Sequence, residues 1–234
     1  AVATGTAFAQ ANDTIAKVKA SGVVNMGVRD SSGALSYTLG DGKYAGFHVE
    51  VCQRIVANLE KAAGKKLEVK YNAVTSQNRI PLLQNGTIDL ECGSTTNNST
   101  RGKDVQFAIN HFYTGTRLLT KKTSKITNYA DLAKKTVSST TGTTNAQVIR
   151  KYNQDKNLGM DIVLGKDHDD AMLMVDTGRS VAFAMDDILL FGLMGNSKNP
   201  SEWEVVGDSL QVEPYACMLR KDDPKFQELV NGVI

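Results

Sequence analysis

The feature that most restricts this chain is a unit that occurs twice. LLQNGTIDL, from Leu82 to Leu90, reads as a helix end, a glycine and a short apolar strand, and it runs into the polar loop ECGSTTNNSTR. MVDTGRSVAFA, from Met174 to Ala184, has the same order and runs into Asp186 and Asp187. A third segment places Val137 before Thr140–Thr144 and the helix-like Asn145–Tyr152: strand, loop, helix. Helices alternating with strands predict α/β layers around mostly parallel sheets.

Other elements fit this alternation. Val23–Val28 reads as a buried strand ending at Arg29, and Leu67–Tyr71 alternates with the strand period. Gly46–Gly64 reads as a helix, because Val51, Ile55 and Leu59 recur every four residues and Gly64 suits a C-terminal cap. Ser76–Gln84 reads as a helix stopped by Asn85-Gly86, with Arg79 one turn inside it. Phe226–Ile234 reads as a helix still running where the sequence stops. Thr114–Lys122 and Tyr215–Asp223 read as strands connecting two halves of related design.

The chain has 234 residues, enough for two lobes of about 100 each. A 41% hydrophobic content supports folded cores, and a net charge of +2 without a basic run gives no nucleic-acid footprint. No stretch approaches the ~18 apolar residues of a membrane span. Ala1–Ala9 is small, uncharged and ends in Ala-Phe-Ala, which reads as the remnant of a secretory signal and implies export. Three cysteines are too few for a disulfide-built scaffold, and Cys52 falls on the predicted amphipathic helix as a buried thiol.

Ligands of open α/β sheets bind beyond the carboxyl ends of strands. The polar groups predicted there are Arg29, Arg79, Arg101 and His168 as cations, Ser94 and Thr96 as neutral donors, and the Thr140-Thr141-Gly142-Thr143-Thr144 loop before a helix. A guanidinium matches a carboxylate bidentately, and a helix start favours an anion. Asp186 is placed to cap the next helix or to receive an ammonium group. Two carboxylate sites and one ammonium site describe glutamate or aspartate. Asp167-His168-Asp169-Asp170 lacks a metal-ligand pattern, and no serine or cysteine has a convincing histidine partner, so neither a metal, a cofactor nor an enzyme is expected.

The segments TSQNRIPLLQNGTIDLECGSTTNNSTR, GTRLLTKK, KDHDD, VAFAMDD and CMLRKDDP together resemble the glutamate/aspartate-binding group of the type II, amino-acid-binding solute-binding proteins of bacterial ABC importers. The resemblance spans about Ile15 to Val233. It implies a two-lobed fold, each lobe a mostly parallel sheet flanked by helices, joined by two hinge strands. Lobe 1 would comprise residues 10–113 with 219–234, and lobe 2 residues 114–218. It implies that Ser94, Thr96 and Arg101 hold the α-carboxylate and α-amino groups and that Asp186 receives the ammonium. Thr141, Thr143 and Thr144 would lie at the helix start that holds carboxylate oxygens. Arg29, Ser76, Arg79 and His168 would read the side-chain carboxylate. It also implies that Cys92 and Cys217 share one neighbourhood where a bridge can form. The implied protein is periplasmic and monomeric, takes L-glutamate or L-aspartate, and serves a membrane ABC permease. Family members normally continue several tens of residues beyond the position of Ile234. The alternatives are a binder of glutamine or another polar amino acid, a receptor's sensing domain, or a dehydratase on the same fold.

Overall fold

A computed structural model describes residues 12–234. The signal remnant expected at residues 1–9 lies outside them. In chain order the elements are α1 (Thr14–Ser21), β1 (Val23–Val28), β2 (Tyr37–Gly40), β3 (Lys43–Ala45), α2 (Phe47–Ala63), β4 (Glu68–Ala73), α3 (Arg79–Gln84), β5 (Leu90–Glu91) and β6 (Gln106–Lys121). They continue as β7 (Thr136–Thr140), α4 (Thr144–Lys156), β8 (Asp161–Gly165), α5 (His168–Asp176), β9 (Ala182–Asp186), α6 (Asp187–Asn196), β10 (Trp203–Val206), β11 (Val212–Leu219) and α7 (Pro224–Asn231).

The strands run in the order β4-β1-β5-β11-β6-β9-β7-β8, with β10 also on β6. β1 pairs in parallel with β4 and β5, and β7 in parallel with β8 and β9. The antiparallel strands β11 and β6 stand between these parallel groups. β6 serves both: Gln106–Gly115 pairs with β11, and Thr116–Thr120 with β9. Two cores follow. One gathers Val24, Met26, Ile55, Leu59 and Leu90 with Cys217, Leu219 and Phe226. The other gathers Leu118, Leu132, Val137 and Ile149 with Ala182 and Ala184. The disulfide Cys92–Cys217 ties the end of β5 to β11. Cys52 is a buried free thiol.

Local chemistry explains the departures from the sequence reading. α3 begins at Arg79, three residues later than expected, because Thr75 and Asn78 close a turn on themselves. Thr75 N–H donates to Asn78 Oδ1 at 2.8 Å, and Asn78 N–H to Thr75 Oγ1 at 3.3 Å. Such side-chain bonds compete with the first helical turn. Arg79 is therefore the first helical residue, not one turn in. α7 spans Pro224–Asn231, with Gly232 N–H donating to Glu228 O at 3.0 Å. Asp223 caps α7 and does not belong to β11. No described helix is long and apolar enough to cross a membrane.

Candidate functional site

The carboxyl ends of β1, β5, β7 and β9 point their following loops at one another, as open parallel sheets require of their ligand sites. Arg29 follows β1 and Arg79 opens α3, and each is 1% exposed. Arg29 Nη1 donates to Ser94 Oγ at 3.3 Å and Arg79 Nη1 to the Ser94 carbonyl at 3.0 Å, so one residue after β5 aligns both guanidinium groups. Arg101 Nη1 donates to the Thr96 carbonyl at 2.9 Å and Nη2 to the Gly142 carbonyl at 3.3 Å. Neither Arg79 nor Arg101 has a carboxylate within ion-pair distance among the described residues. Burial, followed by the Arg101 charge, pulls Arg79 down to about 9, and burial lowers Arg101 as well. Arg29 Nε, Arg79 Nε and Ser76 Oγ are buried without a hydrogen-bond partner among the described residues. Unsatisfied donors on buried cations are costly, about 1–3 kcal/mol for each neutral group and more for a charged one.

Arg29 alone is paired. Its Nη2 meets Asp167 Oδ1 at 2.5 Å, and Ser31 Oγ donates to Asp167 Oδ2 at 2.7 Å. Burial pushes the Asp167 carboxyl up, but the Arg29 guanidinium and these hydrogen bonds hold it below its ordinary range. Arg29 Nη2 also lies 3.2 Å from His168 Nε2. A guanidinium only donates, so Nε2 is the acceptor and the ring proton sits on Nδ1, which donates to Thr140 Oγ1 at 2.9 Å. Burial and then the Arg29 charge lower His168 to about 3. The expectation of His168 as a further cation is thereby corrected: it is a neutral imidazole that steadies Arg29.

Two buried carboxylates lie beside these cations. Asp186 closes β9, accepts from Asn145 Nδ2 at 2.6 Å and from the Tyr215 hydroxyl, and makes no side-chain cap to α6. Burial, then the charge of Glu213, raises Asp186 to about 7. Glu213, on β11 and fully buried, accepts from Thr96 Oγ1 at 2.5 Å and Thr144 Oγ1 at 2.8 Å.

Three threonine hydroxyls differ from the reading that made them anion donors. Thr143 Oγ1 gives its proton to Thr140 O at 2.7 Å and caps α4 by accepting from Ala146 N–H at 3.1 Å. Thr141 Oγ1 donates to Gly165 O at 3.0 Å, and Thr144 Oγ1 donates to Glu213. Each hydroxyl has one proton, so an anion here meets backbone N–H groups at the start of α4. Glu213, Asn145, Thr116, Tyr215 and Asp167 were not among the predicted site residues. Asp167 lay in the quoted KDHDD segment and Thr116 and Tyr215 in the predicted connecting strands, whereas Glu213 carried no signal.

The two loop sets are in close contact. Gly142 has φ +78°, and a Cβ on it would come within 2.7 Å of Gln77 Cα and 2.8 Å of Ser76 O. Gly33 and Gly192 meet likewise, a Cβ on Gly33 falling 3.0 Å from Gly192 Cα. Taken together, the geometry offers buried guanidinium groups, two buried carboxylates and a helix start around the converging loops. Among the described residues, no cluster of His, Cys, Asp or Glu has the make-up of a metal site.

Residues 24–234 match the family described as bacterial extracellular solute-binding proteins, family 3. The chain is 45% identical to the L-glutamate/L-aspartate-binding protein of Pseudomonas aeruginosa, across 94% of this chain and 74% of that protein. It is 44% identical to the glutamate/aspartate import solute-binding protein of Escherichia coli, across 100% and 80%. Among solved structures, holo ArgBP from T. maritima superposes with a TM-score of 0.82 at 26% identity, across 93% of this chain and 91% of that one.

Proposed function

Because the chain belongs to the bacterial extracellular solute-binding proteins of family 3, we propose that it captures L-glutamate or L-aspartate between two lobes and delivers it to the membrane permease of an ABC importer. One observation carries the choice of ligand: Arg79 and Arg101 are cations at the site, one fully and one partly buried, with no carboxylate partner among the described residues. A zwitterion with a second carboxylate supplies what both lack. Arg101 and the start of α4 take the α-carboxylate, and Asp186 with the Thr96 oxygen takes the ammonium. Arg79 Nε, Arg29 Nε and Ser76 Oγ take the side-chain carboxylate. His168 acts through Arg29. Glutamine would leave a buried guanidinium facing a neutral amide, which disfavours it.

The lobes divide where β6 and β11 pass from one core toward the other, near Thr114–Thr116 and Val212–Glu213. That keeps Cys217 and Met218 with lobe 1, a few residues earlier than the sequence boundary at 219. The ligand binds one lobe first and the second closes over it, so contacts from both lobes favour the closed state. The protein works as an exported, periplasmic monomer, and its site holds and releases its ligand without a chemical step. The closing contacts support this: Arg29 with Asp167, Arg101 with the Gly142 carbonyl, and Thr96 with Glu213 and Thr144. A thermal-shift panel of the twenty amino acids tests the reading. Glutamate and aspartate should raise the melting temperature most; stabilisation by basic or apolar amino acids alone would refute it.

A further inference from the structure

Glu213 receives four donors. Its Oε2 takes the Thr96 and Thr144 hydroxyls at 2.5 and 2.8 Å, and its Oε1 takes Gln211 Nε2 at 2.9 Å and Thr116 Oγ1 at 3.5 Å. Four donors on two oxygens is the geometry of an acceptor-only carboxylate. Thr96 follows β5 and Thr144 opens α4, so one oxygen gathers a hydroxyl from each side of the junction. Both hydroxyls spend their only proton there, and what they turn elsewhere is lone pairs. The Thr116 oxygen in turn accepts from Asn145 Nδ2 at 2.8 Å, and the same amide nitrogen donates to Asp186 Oδ1 at 2.6 Å. The Asn145 amide therefore donates both ways, through Thr116 to Glu213 and directly to Asp186, and links the two carboxylates.

We propose that Glu213 is the positioning residue that makes this subsite select an ammonium group: by taking the protons of Thr96 and Thr144 it turns both hydroxyls into acceptors. Because the two hydroxyls come from opposite sides of the junction, the same carboxylate couples that selection to closure. The assignment rests on the proposed function. The other charged groups nearby are Asp186, Asp187, Glu91, Arg79 and Arg101, and none of them meets the two threonine oxygens. A glutamine at position 213 offers one acceptor oxygen and an amide that donates. It therefore frees a threonine proton to face the ammonium.

The test titrates the wild type, Glu213→Gln and Thr144→Val with L-glutamate and with glutarate, the same dicarboxylate without the ammonium. Glu213→Gln should weaken glutamate about 10- to 100-fold and glutarate less than about 2-fold, so that discrimination between the two collapses. Thr144→Val should show the same split, and it decides the matter by itself if Glu213→Gln does not fold. Equal losses for both ligands, or an unchanged glutamate affinity, would overturn the assignment. A wild type that takes glutamate while the variants lose both ligands equally refutes only the role of Glu213. A wild type that takes neither ligand refutes the proposed function itself.

Discussion

Arg101 reaches the Thr96 and Gly142 carbonyls, whereas Arg79 is held by a single carbonyl, that of Ser94. Removing one partner of a buried charged contact costs about 2–5 kcal/mol, at least a roughly 30-fold change in affinity. Calorimetry on Arg101→Ala should therefore show no measurable glutamate binding. Arg79→Ala should weaken glutamate and aspartate more than glutamine. Asp186 adds a pH dependence. Its carboxyl, raised to about 7 by burial and by Glu213, must be ionised to hold an ammonium. Above pH 7 it is already charged. Below pH 7 the free protein holds a proton that binding must expel, so affinity should fall by up to about tenfold per pH unit between pH 7 and 5. A titration series across that range reads it directly. At this scale the sequence was informative for residues whose chemistry is unusual in a loop: three arginines, and an aspartate at a strand end. It was silent on Glu213, which meets Thr96 from 117 positions away, because an ordinary strand glutamate acquires its meaning only when the chain folds.

Elements were legible where period and punctuation agreed. α2 carries its apolar residues at helical spacing and stops at Gly64 in the left-handed conformation, close to its expected span. β1 coincides with the expected Val23–Val28. α3 was misread at its start because a turn closed by the Thr75 and Asn78 side chains overrode periodicity. The sixteen-residue β6 showed only its later part in sequence, since its two halves face different partners and share no single alternation. The loop before α4 yields a prediction at this scale. Gly142 lies against the backbone of Ser76 and Gln77, where a methyl group has no room and the positive φ disfavours any side chain. Gly142→Ala should leave the fold intact, as judged by circular dichroism. It should lower glutamate affinity at least about tenfold, because the loops no longer approach closely enough to share a ligand.

For the whole molecule, two parallel groups of strands meet through β6 and β11, and the polar loops of both groups converge at that junction. The alternation of helices and strands foretold this architecture. The closeness of the junction was not foretold, since it depends on small residues, Gly33, Gly142 and Gly192, whose neighbours lie far away in sequence. On the proposed function, the arginines and carboxylates of the site suit a ligand with two negative groups and one positive group. Titration calorimetry of the wild-type protein with L-glutamate and L-glutamine at pH 7.5 is the decisive measurement, because the two ligands differ only in the group proposed to meet Arg79 and Arg29. Glutamate should bind with micromolar or tighter affinity, near −8 kcal/mol or beyond, and glutamine at least about 100-fold more weakly. Equal affinities, or a preference for glutamine, would contradict it.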